Sequence, residues 1–194
     1  MEKINNILLS GVGGQGTILA ANILTHLICE KGFDIRKNEI HGMSQRGGDV
    51  CTHIRFGQKV YSPTIEKGNA DYLVSFELLE GLRMYPFLKK GGICIINNTE
   101  IEPAPVTAGV EKYPEFDKIK KLFSDRTENF IIVDGTSQVK ELNNPKGVNI
   151  FLLGVLSNHL DLCTVDKWLE AIKKLVKPDF IERNIKCFEA GRNA

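Results

Sequence analysis

The stretch that decides the fold is Ile4-Asn5-Asn6-Ile7-Leu8-Leu9-Ser10-Gly11-Val12-Gly13-Gly14-Gln15-Gly16, followed by Thr17 and Ile18 to Ile28. The apolar run ending at Ser10 predicts a short buried strand, because a strand covered on both faces carries near-continuous hydrophobic residues. Leu19, Ala20, Ile23, Leu24 and Leu27 recur at helical spacing, so a helix is expected over Ile18–Ile28. Gly32 stands where a left-handed C-terminal cap belongs. Phe33 to Ile40 then reads as a second strand, giving strand, loop, helix and strand within the first 40 residues.

Working outward, Val50 to Phe56 alternates, and Gly57-Gln58 separates it from Lys59 to Ser62, which predicts a hairpin across that pair. Tyr72–Phe76 reads as a strand, Glu77 to Leu88 as a helix and Ile93–Ile96 as a strand after Gly91-Gly92. Glu102 to Val106, with two prolines, reads as a loop. A helix is expected over Glu115–Ser124 and a strand over Phe130–Val133, and the chain beyond Asp134 reads as wholly helical. Alternation of strands and helices is the signature of a parallel sheet with covering helices. The expected fold class is therefore α/β: a Rossmann-like open, mostly parallel sheet with flanking helices, one β-hairpin and a helical C-terminal third. No repeat or linker divides the chain, so residues 1–194 are expected to form a single domain.

Composition narrows the function classes. Twenty-five basic and 24 acidic residues leave a net charge of +1, which gives no support to a nucleic-acid binder. The longest apolar run near the middle, Ile150 to Leu156, is far shorter than the roughly 20 residues of a membrane span. The N-terminus shows no secretory pattern, and a cytoplasmic location with reduced cysteines is expected. The five cysteines, at 29, 51, 94, 163 and 187, form no Cys-x-x-Cys pair. Metal and iron–sulfur motifs gather thiolates within a few residues, so buried inert cysteines for most of the five, and no metal site, are expected in this chain.

Two loops could carry chemistry. Gly11, Gly13, Gly14, Gln15 and Gly16 satisfy G-x-G-x-x-G between a strand and a helix, where an anion can approach helix-terminal N–H groups. A dinucleotide site also wants an acid on the ribose; Asp34 and Glu39 are the available carboxylates, and Glu39 is the better placed. The other reading of this loop, packing or a protein contact, stays open. The second loop begins where the second strand ends. His41, Ser44, Gln45 and Arg46 offer donors among Gly42, Gly47 and Gly48, and Arg46 suits a bidentate clamp on a carboxylate or phosphate. An ordinary surface loop is the alternative. Asp134-Gly135-Thr136-Ser137 is read as a helix cap, and His26, His53 and His159 as structural.

Gly11-Val-Gly-Gly-Gln-Gly16 together with Glu39-Ile-His-Gly-Met-Ser-Gln-Arg-Gly-Gly48 resembles the gamma domain of 2-oxoacid:ferredoxin oxidoreductases, and within it the beta subunits of the indolepyruvate branch. The likeness continues through Ser62-Pro63, Asp71, Phe76-Glu77, Gly91-Gly92, Asn97, Asp134, Asn149, Leu153-Gly154, Trp168, Asn184 and Gly191, nearly the whole chain. His-Gly-Met-Ser-Gln points to arylpyruvates, since pyruvate and oxoglutarate members resemble Tyr-Gly-Pro-Glu there. The resemblance implies CoA-dependent oxidative decarboxylation of aryl-2-oxoacids with electrons passed to ferredoxin. It places thiamine diphosphate, Mg and the iron–sulfur clusters on a larger alpha subunit, with CoA as co-substrate and no cofactor on this chain. It also implies an αβ or (αβ)2 hetero-oligomer in which this chain holds no catalytic residue alone, and His41 to Gly48 face substrate, CoA or the partner. Three rival readings are a gamma subunit for another 2-oxoacid, a free-standing nucleotide-binding oxidoreductase, and a purely structural assembly subunit.

Overall fold

In the computed structural model, which describes residues 4–42 and 48–194, six strands form one sheet in the order β2-β3-β1-β4-β5-β6. In chain order the elements are β1 (Asn5–Val12), α1 (Thr17–Glu30), β2 (Asp34–His41), β3 (Asp49–Gly57), β4 (Ala70–Ser75), α2 (Leu78–Met84), β5 (Leu88–Asn97), α3 (Ala104–Thr107), α4 (Phe116–Arg126), β6 (Phe130–Val133), α5 (Gly135–Glu141), α6 (Val148–Ser157), α7 (Val165–Leu175) and α8 (Ile181–Arg192). β1, β4, β5 and β6 are parallel neighbours, and β3 alone runs against the rest. The expected mostly parallel α/β sheet and helical C-terminal third are both present.

The sheet is covered on both faces, which is why β1 is buried almost throughout. Ile7 and Leu9 face a core shared with α1, α6, α7 and α8, whereas Leu8 faces Leu78, Ile119 and Phe123 of α2 and α4. In the first layer α6 and α8 approach closely at two glycines. A Cβ on Gly154 would sit 2.1 Å from the Phe188 carbonyl oxygen, and one on Gly191 would sit 1.9 Å from that of Phe151.

The hairpin lies elsewhere than expected. β2 and β3 pair antiparallel from Asp34↔Gly57 to His41↔Val50, so these two consecutive strands form the hairpin. Lys59–Ser62 forms no strand, because β3 already has β1 on one side and β2 on the other and offers it no free edge. That segment is pinned by side chains instead. Asp34 accepts from Val60 N–H at 3.0 Å, and Arg55 donates to the carbonyls of Ser62 and Thr64. The helix expected to Leu88 stops at Met84, and β5 starts at Leu88 rather than Ile93. Between Ala70↔Leu88 and Tyr72↔Ile93, β5 carries three residues more than β4. Gly91, at φ 74°, and Gly92, against the Ala70 and Asp71 carbonyls, admit that irregularity. Ala104–Thr107 forms a short helix within the expected loop.

Candidate functional site

β1 and β2 point the same way, so their C-terminal ends, and the two loops that follow, share one edge of the sheet. In such sheets ligands bind outside the carboxyl ends of the strands. Gly13 N–H donates to the Gly48 carbonyl at 2.9 Å, joining the glycine loop directly to the end of the second loop. Gly42 N–H and the Asp49 carbonyl close the base of that second loop at 2.8 Å. Met43, Ser44, Gln45, Arg46 and Gly47 lie outside the described residues. His41 stands at the end of β2 with its ring half exposed, 3.9 Å from Glu39.

The glycine loop is shaped by its own side chains. Gly14 and Gly16 adopt φ 99° and 80°, the left-handed region that favours glycine. Gln15 folds back: its Oε1 accepts from Val12 N–H at 2.7 Å, and its Nε2 donates to the Phe76 carbonyl at 3.1 Å. One amide thereby ties the end of β1 to the residue after β4. From the other side, Asn149 Nδ2 donates to the Gly16 carbonyl at 3.1 Å. α1 opens on Gly16 without a side-chain cap. The two carboxylates considered for a ribose are engaged: Asp34 with Arg36 and Val60 N–H, and Glu39 with Lys37 at 2.8 Å.

Further along the same edge lies a network that the sequence reading did not single out as a site. Glu77, fully buried after β4, accepts from Glu80 N–H at 2.8 Å, Ile101 N–H at 3.0 Å and the Tyr113 hydroxyl. Burial and the Glu77 carboxylate push the Tyr113 phenol far above its ordinary range. Asn97, also fully buried at the end of β5, donates to the Phe76 carbonyl and accepts from Gly135 N–H at 2.9 Å. Asp134 accepts from Ser137 N–H at 3.0 Å and caps α5, the expected role. Glu80, nearly buried, meets Arg83 at 2.6 Å, and burial raises its pKa to about 7. Asp49, at the base of the second loop, adds to that rise. The signal that could have found this network is a polar residue directly after each apolar strand: Glu77 after Phe76, and Asn97 after Ile96. Beside the N-terminus of α1 a groove of about 640 Å³ is lined by Leu19, Asn149, Phe180, Lys146, Lys177 and Arg183, among others.

The family model described as pyruvate ferredoxin/flavodoxin oxidoreductase matches residues 6–194. The chain belongs to this family. Indolepyruvate oxidoreductase subunit IorB of Thermococcus kodakarensis is 38% identical over 99% of this chain and 96% of its own length. The protein of the same name from Pyrococcus horikoshii is 36% identical over the same shares. Among solved structures, the gamma subunit of a keto/oxoacid ferredoxin oxidoreductase from Geobacter sulfurreducens superposes with a TM-score of 0.69 at 21% identity, covering 97% of this chain and 96% of that one.

The described residues of this chain do not fit a redox metal centre. Among the described residues no group of three or more histidine, cysteine or acidic side chains is placed to hold a metal ion. Cys94 is buried in the middle of β5, and burial drives its thiol well above the usual value. Burial, with Asp49 and Glu80 nearby, pushes Cys51 up to about 12. A cluster ligand must be a thiolate, and these sites favour the protonated thiol. Cys187 is buried as well, whereas Cys163 is half-buried and Cys29 exposed, so the expected burial holds for three of the five. His53 is buried and accepts from Ile65 N–H at 3.1 Å, and His26 meets Glu30 at 3.3 Å; both act structurally.

Proposed function

We propose that this chain is the small subunit of an indolepyruvate (arylpyruvate):ferredoxin oxidoreductase. With a larger alpha subunit carrying thiamine diphosphate, Mg and iron–sulfur clusters, it supports conversion of aryl-2-oxoacids and CoA to acyl-CoA, CO2 and reduced ferredoxin. Thiamine diphosphate and the clusters supply the carbanion and one-electron chemistry. This chain contributes a surface that completes the site. The observation that carries the reading is the Gly13–Gly48 hydrogen bond, which ties the glycine loop to the end of the second loop at the carboxyl edge of the sheet. The near full-length match to relatives named for indolepyruvate favours that substrate over other 2-oxoacids. His41, Ser44, Gln45, Arg46, Gly47 and Gly48 face substrate, CoA or the alpha subunit, and Arg46 is the anion contact. Gly11, Gly13, Gly14, Gln15 and Gly16 hold that element in shape. The complex is a cytoplasmic αβ or (αβ)2 assembly, in keeping with the lack, among the described residues, of any helix long and apolar enough to cross a membrane.

The test is indolepyruvate- and CoA-dependent reduction of a viologen dye by this chain alone, by its thiamine-binding partner alone and by the two mixed. Turnover in the mixture only is the expected result; turnover by this chain alone overturns the proposal. Within the active mixture, Arg46→Ala lowers turnover by about tenfold or more, the loss of one charge-assisted anion contact. Unchanged turnover in an intact complex removes Arg46 from that role.

A further inference from the structure

We propose that β2 is a homodimerisation edge through which two copies of this chain join their sheets. β2 ends the sheet on one side, with eight residues of which none is buried. Its outer backbone groups form a template for another strand, although the Ile35 carbonyl already accepts from Arg36 at 2.8 Å and a joining strand must share it. Ile40 is 47% exposed on it. The opposite edge, β6, has only four residues.

Symmetry and charge select one register. Two antiparallel copies of one strand are related by a dyad perpendicular to the sheet, which leaves each side chain on its own face. Directly opposed residues must share a face, and side chains alternate, so the dyad passes through a residue and not between two residues. A dyad at Lys37 opposes two ammonium groups, one at Arg36 two guanidinium groups, and one at Glu39 two carboxylates. Centres further out pair fewer residues.

A dyad at Asn38 avoids all of these. It sets amide against amide and Lys37 opposite the second copy's Glu39, twice over. It also lays the Arg36 stem against Ile40 and Ile35 against His41. Lys37 and Glu39 already pair at 2.8 Å within the chain, so the joint carries four alternating charges on the face where Lys37 also reaches Asn22 of α1. Exposed pairs of this kind add little affinity each, and like charges directly opposite are unfavourable, so they set register more than strength. The two His41 residues then stand roughly 20 Å apart across the dyad at the usual rise of a strand.

The readout is the mass of the full 194-residue chain in solution, by sedimentation or light scattering, so it does not depend on the proposed activity. The wild type runs at twice its chain mass of 21.7 kDa. Lys37→Glu and Glu39→Lys each weaken the dimer by about tenfold or more, and the double exchange K37E/E39K restores it. Oxidised Asn38→Cys links two copies covalently at the dyad, whereas Arg36→Cys, which faces Ile40, does not. A monomeric wild type, a dimer indifferent to either single reversal, or a double exchange that fails to restore it overturns the proposal.

Discussion

The glycine loop between β1 and α1 and the polar network between β4 and β5 occupy the same edge of one sheet but are built in opposite ways. In the loop, backbone shape is the working part: Gly14 and Gly16 take left-handed conformations, and the side chains of Gln15 and Asn149 brace them. In the network, side chains do the joining: Glu77 and Asn97, both fully buried, gather donors and acceptors from segments far apart in the chain. A loop held by backbone shape fails by strain, in amounts set by one residue. A buried network fails by leaving several polar groups without partners at once, and a lost partner in a dry interior costs more than strain does. Damage to the network should therefore outweigh damage to the loop, although only the loop carries a recognisable motif.

The sharpest way to break this contrast is Glu77→Ala. It removes the acceptor for Glu80 N–H, Ile101 N–H and the Tyr113 hydroxyl together. The expected loss is about 3–5 kcal/mol, because three neutral donors lose their acceptor at about 1–3 kcal/mol each. Urea unfolding with an unchanged slope measures it. Glu77→Gln keeps an acceptor oxygen and should lose markedly less. A loss under about 1 kcal/mol for the alanine variant would mean that water replaces the carboxylate, and the contrast with the loop would collapse.

Next in size is Gly16→Ala, which tests the loop itself. The left-handed backbone costs a Cβ about 1–2 kcal/mol. The new atom would also lie 2.4 Å from Asn149 Nδ2. Together these predict a loss of about 2–3 kcal/mol, below that of Glu77→Ala. In an Asn149→Ala background the clash is gone, so the same glycine change should cost only its backbone part. A double-mutant cycle on thermal or urea unfolding reads the difference. Strict additivity would show that Asn149 moves freely aside and does not clamp the loop.

The same contrast explains what could be read from the chain in advance. The glycine pattern and the apolar runs are local, so β1, α1, β6 and the helical C-terminal third were legible from spacing alone. The partner of β3 was not. Lys59–Ser62 has acceptable strand chemistry, and only the sheet order shows that β1 and β2 already occupy both sides of β3. The loop after His41 was identified as a site, but its tie to Gly13 is a contact between residues 35 positions apart that no local pattern encodes. Glu77 is harder still. A glutamate that opens a helix reads as an exposed cap, and it becomes a buried hub only because Tyr113 and Ile101 return to it.

A change of pH also separates the two regions. Glu80 sits between them, paired with Arg83 at 2.6 Å and facing Glu77 and Asp49. Burial is the largest influence on its carboxyl group. Arg83 opposes the rise, Glu77 and Asp49 add to it, and the pKa moves from 4.5 to about 7. The folded chain therefore holds a proton at Glu80 that the unfolded chain has released across that interval. With more protons bound in the folded state, the stability this group contributes is present below 4.5 and is lost as the pH rises through about 7. Glu80→Gln removes the titration. The stability of that variant relative to wild type should climb in its favour between these two values and stay level above them, while Gly16→Ala differs from wild type by a constant amount throughout. A series of urea unfolding curves across the interval measures both. A flat difference for Glu80→Gln would mean that the carboxylate stays solvated at the base of the second loop, and that the network ends at Glu77 instead of reaching the loop edge.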